Sequence, residues 1–167
     1  MEKVDMATRQ LLRLACAGEH LVVPIDAVRE ILEVGRMTPL AQTPDFVHGV
    51  MNLRGSVVPV IDLGARFGFG RTQLVRRSAV VVVEAQTADM HERLVAGLLV
   101  DAVYEVIEID AHDIEATPAL GVAVASEFLS GMVNVRGQYA PLLNLNQVLS
   151  TDVLADLIGK HLAEAGS

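Results

Sequence analysis

The sequence predicts a mainly β protein built from two related modules of short strands. Two blocks of the chain recur in the same order, and short apolar runs alternate with glycine-containing turns. The 167 residues are 51% hydrophobic but only 4% aromatic, so the predicted core consists of valine, leucine, isoleucine and alanine. Short strands separated by turns, with little helix between them, favour β-barrels over a β-sandwich or a βαβ fold.

The internal repeat is the most informative feature of the chain. Residues 25–34 align with residues 100–109 at an offset of 75, with identity at five of the ten positions. Residues 46–55 align with residues 128–137 at an offset of 82. The larger second offset places seven additional residues in the second copy, between residues 110 and 126. Because both blocks recur in the same order, we interpret the chain as a duplication.

The duplication predicts one domain composed of two modules, residues 9–70 and residues 78–149. A module of about 65 residues buries only about 60% of the surface that its unfolded chain exposes. We therefore expect each module to pack against the other, with an apolar seam or groove between them.

Each module is predicted to open with strands. Residues 11–15 and 79–83 are the first strands of the two modules, and the second of these is apolar enough to be buried on both faces. The β-branched segments that end at Val34 and Ile109 are predicted as further strands, the first of them after one helical turn at residues 25–28.

A short helix is predicted before the first hairpin. Thr43 is a typical N-cap residue, Pro44 suits the first helical position, and Asp45 places an acid in the first turn. Such a helix would contain the two apolar residues that follow and end near Gly49.

Two β-hairpins with two-residue turns are predicted. The Arg-Gly dipeptide at residues 54–55 separates two apolar runs, and the dipeptide at residues 136–137 repeats this arrangement. Glycine supplies the positive φ that such turns require. Pro59 and Pro141 cannot donate to a strand ladder, so each is predicted to mark an edge strand or a bulge.

Two helical segments are predicted outside the repeated pattern. Residues 64–68 follow the first hairpin and are expected to form one helical turn. Residues 151–165 carry apolar side chains at helical spacing after a Ser-Thr cap, which predicts a C-terminal helix. Its expected role is packing onto the core, and docking to a partner is the alternative.

Charge and composition exclude several classes of function. Lys and Arg total 13 against 21 for Asp and Glu, a formal charge of −8. This balance argues against nucleic acid and against an anionic membrane surface, because both require clustered cations. No apolar run reaches the roughly 20 residues of a membrane-spanning helix, and no secretory signal is evident. Cys16 is predicted to be a small buried hydrophobic residue, and the cytoplasm is the expected compartment.

No pattern typical of catalysis or metal binding is found in the sequence. The five histidines lie at positions 20, 48, 91, 112 and 161. None has ligand-type residues at metal-binding spacing, so no metal or cofactor is expected. Asp26 with Glu30, and Asp101 with Glu105, could be carboxylate pairs for acid–base catalysis. Because both pairs recur in the repeat, we assign them to the scaffold and predict that the protein is not an enzyme.

Two ion pairs are predicted from the repeat. Glu30 is expected to pair with Arg54, and Glu105 with Arg136 at the equivalent positions of the second copy. Each pair has two compatible interpretations. It is a structural bridge, whose loss would leave a charge without its partner, or it holds a partner-binding edge in shape.

Several motifs of the chain are characteristic of a known family. In chain order they are VREIL at 28–32, TPDFVHGVMNLRG at 43–55, VPVIDL at 58–63, GLLVDAVYEV at 97–106 and FLSG at 128–131. Together they resemble the CheW-like domain of bacterial chemotaxis over residues 9–149. The hairpin with Asn-Leu-Arg-Gly followed by Val-Pro-Val-Ile-Asp-Leu is the most specific part of the resemblance.

This resemblance implies two SH3-like five-stranded β-barrels that enclose a hydrophobic groove. It implies an adaptor in the cytoplasm, recruited to membrane-associated receptor arrays without inserting into the membrane. The adaptor would join the cytoplasmic tip of a chemoreceptor to the homologous regulatory domain of a CheA-type histidine kinase. A monomer is expected, and a homodimer through an exposed edge strand is the alternative.

The resemblance also implies which residues bind partners. The positions that match family residues important for partner binding or for the groove are Val28, Glu30, Gly49 and Arg54. The strand after the first hairpin would help to form the kinase-facing surface, and its valines are Val57, Val58 and Val60. The seam between the barrels would accept receptor helices.

The second copy departs from the family pattern at two positions. Arg136 is kept, whereas many coupling proteins lack this arginine, and Asn144 stands where an acid is common. These departures concern the identity of the partner more than the fold. Related adaptors serve type IV pilus, surface-sensing and gliding pathways, so a pathway other than flagellar chemotaxis is the alternative function.

Overall fold

The computed structural model describes residues 8–86, 93–116 and 123–149. The first copy of the repeat contains β1 (Thr8–Cys16), β2 (Glu19–Pro24), β3 (Val28–Glu33), β4 (Val47–Leu53), β5 (Ser56–Asp62) and the helix α1 (Leu63–Arg66). The second copy contains β6 (Ala79–Gln86), β7 (Arg93–Val100), β8 (Ala102–Asp110), β9 (Ile114–Glu115), β10 (Leu129–Val135), β11 (Gln138–Leu143) and the helix α2 (Leu145–Leu149). Short 3₁₀ turns occupy Ile25–Ala27, Ala111–Asp113 and Ser126–Phe128. The predicted mainly β class is confirmed.

The strands form two sheets that exchange elements between the two copies. Sheet A has the order β8-β1-β2-β11-β10-β9, and sheet B has the order β3-β6-β7-β5-β4. The first two strands of each copy therefore pair with the later strands of the other copy. Each sheet has the five long strands expected of an SH3-like barrel, and sheet A adds the two-residue β9. The sheets do not follow the predicted module boundaries, because each takes strands from residues 9–70 and from residues 78–149.

One buried core joins residues of both sheets, and through them residues of both copies of the repeat. Successive residues of the buried strands alternate between this central core and an outer cluster on the far side of the same sheet. On β6, Val81 and Val83 belong to the central core, while Val80 and Val82 pack in the outer cluster of sheet B. All four are fully buried, so this strand is buried on both faces, as its composition predicts.

The prediction of a short helix before the first hairpin is wrong. The chain forms a turn there, in which the Val47 N–H donates to the Pro44 carbonyl at 3.0 Å, and β4 begins at Val47. The Thr43 hydroxyl donates to a carbonyl three residues earlier instead of capping a helix. The Phe46 carbonyl accepts from the Asp62 N–H at 2.7 Å. This bond to the end of β5 draws the backbone into the sheet before a helix can extend.

Both hairpin prolines lie on inner strands, contrary to the predicted edge or bulge. Pro59 pairs with Val50 of β4, and parallel pairing of β5 with β7 begins one residue later, at Val60. Pro141 likewise precedes Leu142, where β11 meets β2. Each proline sits where the ladder to the parallel neighbour has not yet begun, so its missing N–H removes no ladder bond.

The remaining predictions concern single residues and helical segments. The helical turn before β3 and the turn after the first hairpin are confirmed as Ile25–Ala27 and α1. Cys16 is fully buried on β1, and burial raises the pKa of its thiol to about 12. The predicted helix at residues 151–165 lies outside the described residues. No helix within the described ranges is both long and apolar enough to cross a membrane.

Candidate partner-binding surface

Strand β3, an edge of sheet B, places Val28 and Glu30 on opposite faces. Val28 pairs with Val83, which lies in the central core, whereas Glu30 pairs with Val82, which lies in the outer cluster. Directly paired residues share a face of a sheet. A bulge at Arg29 therefore turns the strand over between two positions that regular alternation would place on one face. Val28 is half-buried against the central core, and Glu30 points towards the hairpin.

The Glu30 carboxylate and the Arg54 guanidinium form the predicted ion pair, which contains two hydrogen bonds. Arg54 Nη1 donates to Glu30 Oε2 at 2.7 Å, and Nη2 donates to Oε1 at 3.3 Å. β3 and β4 are opposite edges of sheet B, so this bridge connects the two edges of a curled sheet. The Arg54 side chain is 77% exposed and that of Glu30 22%. An ion pair at this exposure contributes about 1 kcal/mol or less to stability, so its main effect is to position the turn.

The turn that carries Arg54 is held by an asparagine that the sequence reasoning did not single out. Arg54 and Gly55 both have positive φ, at 52° and 88°, which is the two-residue turn predicted for this hairpin. The Gly55 N–H donates to Asn52 Oδ1 at 2.9 Å, and the Gly137 N–H donates to Asn134 Oδ1 at 2.8 Å. The repeated asparagine two residues before each Arg-Gly pair was the signal that could have identified this role.

Gly49 is required by a close backbone approach at the free edge of β4. Thr38 and Val50 exchange two hydrogen bonds, at 2.8 and 2.9 Å, so the segment before β4 covers this edge. A Cβ at Gly49 would lie 2.6 Å from the Thr38 carbonyl oxygen. Gly131, at the equivalent position of the repeat, has the same constraint from the Glu115 carbonyl oxygen at 2.8 Å. The geometry therefore explains why position 49 is a glycine without reference to any partner.

The three valines of β5 are mostly internal. Val57 is half-buried, Val58 is buried, and Val60 is fully buried in the outer cluster of sheet B. The side chains of Val58 and Val60 therefore support the surface from within, and only Val57 reaches solvent. Ile31, which the sequence reasoning missed, is 45% exposed on the edge strand β3. A bulge precedes this isoleucine, and local alternation in the sequence does not reveal it.

The predicted pair of Glu105 with Arg136 is replaced by a different pair. Glu105 accepts two hydrogen bonds from Arg13, at 3.0 Å each. The Arg13 guanidinium lies 4.4 Å from the centroid of the Tyr104 ring, which stacks on His20. Arg136 exerts only a weaker electrostatic effect on Glu105. In sheet A, Arg13 lies on β1, which is the neighbour of the strand β8 that carries Glu105. The carboxylate therefore pairs with Arg13 and not with Arg136 of the hairpin turn.

We expect Glu105 to titrate with a pKa below its usual range, chiefly because its carboxylate accepts hydrogen bonds from Arg13. A lowered pKa means that the pair stabilises the fold at neutral pH, and that this contribution is lost as the pH falls through the folded-state pKa. Arg13→Gln should raise the pKa of Glu105 towards its usual value in an NMR titration. Arg136→Gln is the matched control and should raise it less. A larger effect of Arg136→Gln would restore the pairing predicted from the repeat.

Within the described ranges, no group of three or more His, Cys, Asp or Glu side chains is arranged to hold a metal ion. The charged groups described above pair with one another at sheet edges and turns. Two curled sheets, with a charged bridge between the edges of one of them and partly exposed apolar side chains beside it, present a surface suited to docking another protein.

The chain belongs to the CheW-like domain family, whose family model matches residues 10–153. It is 31% identical over 144 residues to the chemotaxis protein CheW of Rhizobium meliloti (strain 1021), covering 86% of this chain and 89% of that protein. It is 35% identical to the protein FrzA of Myxococcus xanthus, covering 79% of each. The crystal structure of the scaffolding protein TtCheW from Thermoanaerobacter tengcongensis is similar, with a TM-score of 0.75 and 30% identity over 86% of this chain and 89% of that chain. The resemblance predicted from the sequence motifs is confirmed, and it identifies a scaffold of chemosensory signalling.

Proposed function

We propose that this protein is a non-enzymatic adaptor that couples chemoreceptors to a CheA-type histidine kinase. It would act in the cytoplasm, at receptor arrays beneath the membrane. The observation that carries the proposal is the bridge from Glu30 to Arg54, which fixes the first hairpin turn against the edge strand β3. A fixed turn beside an open strand edge is a preorganised docking surface, and preorganisation lowers the entropic cost of binding.

The kinase-facing surface would consist of β3 and the first hairpin. An edge strand presents unpaired backbone N–H and C=O groups, which a strand edge of a partner can satisfy. The exposed Ile31 adds apolar area on this edge, and Val57 adds a smaller amount on the hairpin. Glu30 and Arg54 would give the surface its shape more than its affinity.

The receptor would dock along the rim of the central core. Three apolar side chains pack against this core while keeping part of their surface exposed, namely Ile25, Val28 and Leu40. An amphipathic receptor helix can lay its apolar face on such a rim. The helix would rest on this rim, with its apolar face against these three side chains.

Each of these interfaces is moderate on its own. Linking several of them in one assembly makes later contacts effectively intramolecular, and the assembly gains avidity from effective concentration. This mechanism needs no covalent step and no bound cofactor.

A non-flagellar pathway is the second candidate function. The 35% identity to FrzA of Myxococcus xanthus favours it, as does the similarity to the protein PilI of Pseudomonas aeruginosa, at 36% identity over 87 residues. Co-purification with receptor tips and kinases encoded in the same genome would distinguish the two pathways, because the adaptor should retain only its own partners.

Charge reversal at the bridge tests the proposal. Glu30→Arg and Arg54→Glu each place like charges at the contact, which should displace the turn and weaken binding of the kinase regulatory domain about tenfold or more. The double variant restores opposite charges and should recover most of the affinity. Isothermal titration calorimetry measures the binding, and thermal unfolding should shift by only a few °C because Arg54 is largely exposed.

Arg93→Glu is the matched control, because Arg93 lies on β7 and forms an exposed ion pair with Glu84 of β6 at 3.3 Å. This variant should bind the kinase domain like the wild type. Unchanged kinase binding in both single variants at the bridge would remove the role assigned to Glu30 and Arg54.

A further inference from the structure

The loop between α1 and β6 concentrates positive charge and exposed apolar surface in an acidic protein. Residues 71–77, which we call the arginine loop, contain Arg71, Arg76 and Arg77 in a chain of net charge −8. Between these arginines lie Leu74 and Val75, with exposed fractions of 53% and 58%. Val75 is more exposed than any other large hydrophobic residue in the described part of the chain.

The arginine loop is anchored at both ends. The carboxylate of Asp62, which is almost fully buried, accepts hydrogen bonds from the Thr72 N–H and the Thr72 hydroxyl, each at 2.7 Å. At the other end, the Val75 N–H donates to Ser78 Oγ at 2.9 Å, and the Ser78 N–H donates to the Val75 carbonyl at 3.0 Å. These four bonds hold Leu74 and Val75 outside the core, so their exposure is a property of a defined backbone.

The charges of the loop are largely available. Arg71 approaches Asp45 at 3.6 Å, and both side chains are strongly exposed, so this contact is weak. Arg76 and Arg77 form no ion pair with any residue that the structure describes. Two arginines next to two exposed aliphatic side chains are complementary to a surface that carries carboxylates beside apolar groups.

The arginine loop is remote from the hairpin turn assigned to the kinase. The turn precedes the seven-residue strand β5, and the loop is bonded to Asp62 at the end of that strand. Seven residues at about 3.3 Å per residue separate the turn from Asp62 by roughly 20 Å. A partner on the loop therefore leaves the turn at residues 54–55 free, although the loop adjoins the end of β3, where Ala79 pairs with Glu33.

We propose that the arginine loop is an additional docking surface that binds an acidic amphipathic segment of a protein partner. Apolar side chains of the segment cover Leu74 and Val75, and its carboxylates pair with Arg76 and Arg77. Arginine suits this role because its planar guanidinium binds carboxylates through two hydrogen bonds. The proposal goes beyond the coupling of receptor and kinase, and it adds a partner chemistry that the hairpin surface does not supply.

Charge favours a protein segment over a lipid surface. A membrane is a broad anionic plane that faces the whole protein, whose net charge of −8 is repelled over about a Debye length of 8–10 Å. A narrow peptide segment contacts only the loop and avoids most of this repulsion. The same argument disfavours nucleic acid, which requires many phosphate contacts.

The test uses the full chain and a synthetic helical peptide of about 18 residues, long enough to form an isolated helix. The peptide carries leucines at positions i and i+4 flanked by glutamates, and its binding is followed by fluorescence anisotropy. Arg76→Glu with Arg77→Glu, and separately Leu74→Ser with Val75→Ser, should each weaken binding about tenfold. Raising the salt from about 50 to about 300 mM should weaken binding to the wild type, because the pairs are exposed.

Controls separate this proposal from the kinase surface and from lipid binding. Both loop variants should melt like the wild type and weaken binding of the kinase regulatory domain far less than Glu30→Arg does. A peptide with lysine in place of glutamate should not bind. Equal peptide binding by the wild type and both loop variants would overturn the proposal. So would cosedimentation of the wild type, but not the variants, with phosphatidylglycerol-containing vesicles in the absence of peptide binding.

Discussion

Replacing Gly49 with alanine should destabilise the protein by about 2–4 kcal/mol, because the new Cβ collides with backbone rather than with a flexible side chain. The added carbon would lie 2.6 Å from the Thr38 carbonyl oxygen and 3.1 Å from its carbonyl carbon. The segment at Thr38 must move away, which breaks its two hydrogen bonds with Val50. Urea unfolding followed by circular dichroism measures the loss.

Two further glycines make this prediction specific. Gly35→Ala should change stability by less than about 0.5 kcal/mol, because nothing lies within 4 Å of a Cβ at Gly35. Gly131→Ala should destabilise about as much as Gly49→Ala, since the equivalent carbonyl lies at 2.8 Å. If Gly49→Ala unfolds like the wild type but loses kinase binding, Gly49 is a contact residue and the structural account is wrong.

The strands and turns were predictable because their signals are local. The exchange of strands between the two copies could not be predicted from local signals. The Arg-Gly turns and the valine run of β6 depend on residues that are neighbours in sequence. Pairing β1 with β8 instead of β3 depends on a choice between two nearly equivalent partners. Since the repeat makes Val28 and Val103 equivalent, either pairing would bury the same kinds of side chain.

The register of the sheets explains which ion pair the sequence could predict. Leu12 of β1 lies opposite Val106, and Val81 of β6 lies opposite Ile31, the residue equivalent to Val106. Arg13 therefore occupies in sheet A the position that Val82 holds in sheet B. An arginine beside Glu105 replaces a valine beside Glu30, so only Glu30 depends on the hairpin arginine for its partner.

Features that depend on contacts distant in sequence were missed for the same reason. The bulge at Arg29 arises from pairing with β6, and it separates Val28 from Glu30, which the spacing alone would place on one face. The helix signals at Thr43 and Pro44 are genuine local preferences. They are overridden because the carbonyl of Phe46 bonds to Asp62 at the end of β5.

Arg66 connects the two copies of the repeat at their helical ends. Its guanidinium carbon lies 4.7 Å from the ring centroids of both Phe46 and Phe128, which are equivalent residues of the repeat. Its Nε also donates to the Val148 carbonyl at 2.9 Å, in the last turn of α2. Burial lowers the pKa of Arg66 from its very high usual value, and the group still remains charged at neutral pH.

Replacing Arg66 with alanine should lower the free energy of unfolding by about 2–4 kcal/mol, because it removes two cation–π contacts and a charged hydrogen bond together. Arg66→Lys keeps the charge but lacks the planar group that both rings contact. Its free energy of unfolding should therefore lie between those of Arg66→Ala and the wild type. Arg93→Ala is the control, since Arg93 is strongly exposed, and it should change stability by less than about 0.5 kcal/mol. Urea unfolding of the three variants checks the order. Equal stability of Arg66→Ala and Arg93→Ala would mean that Arg66 adds nothing to the contact between the two copies.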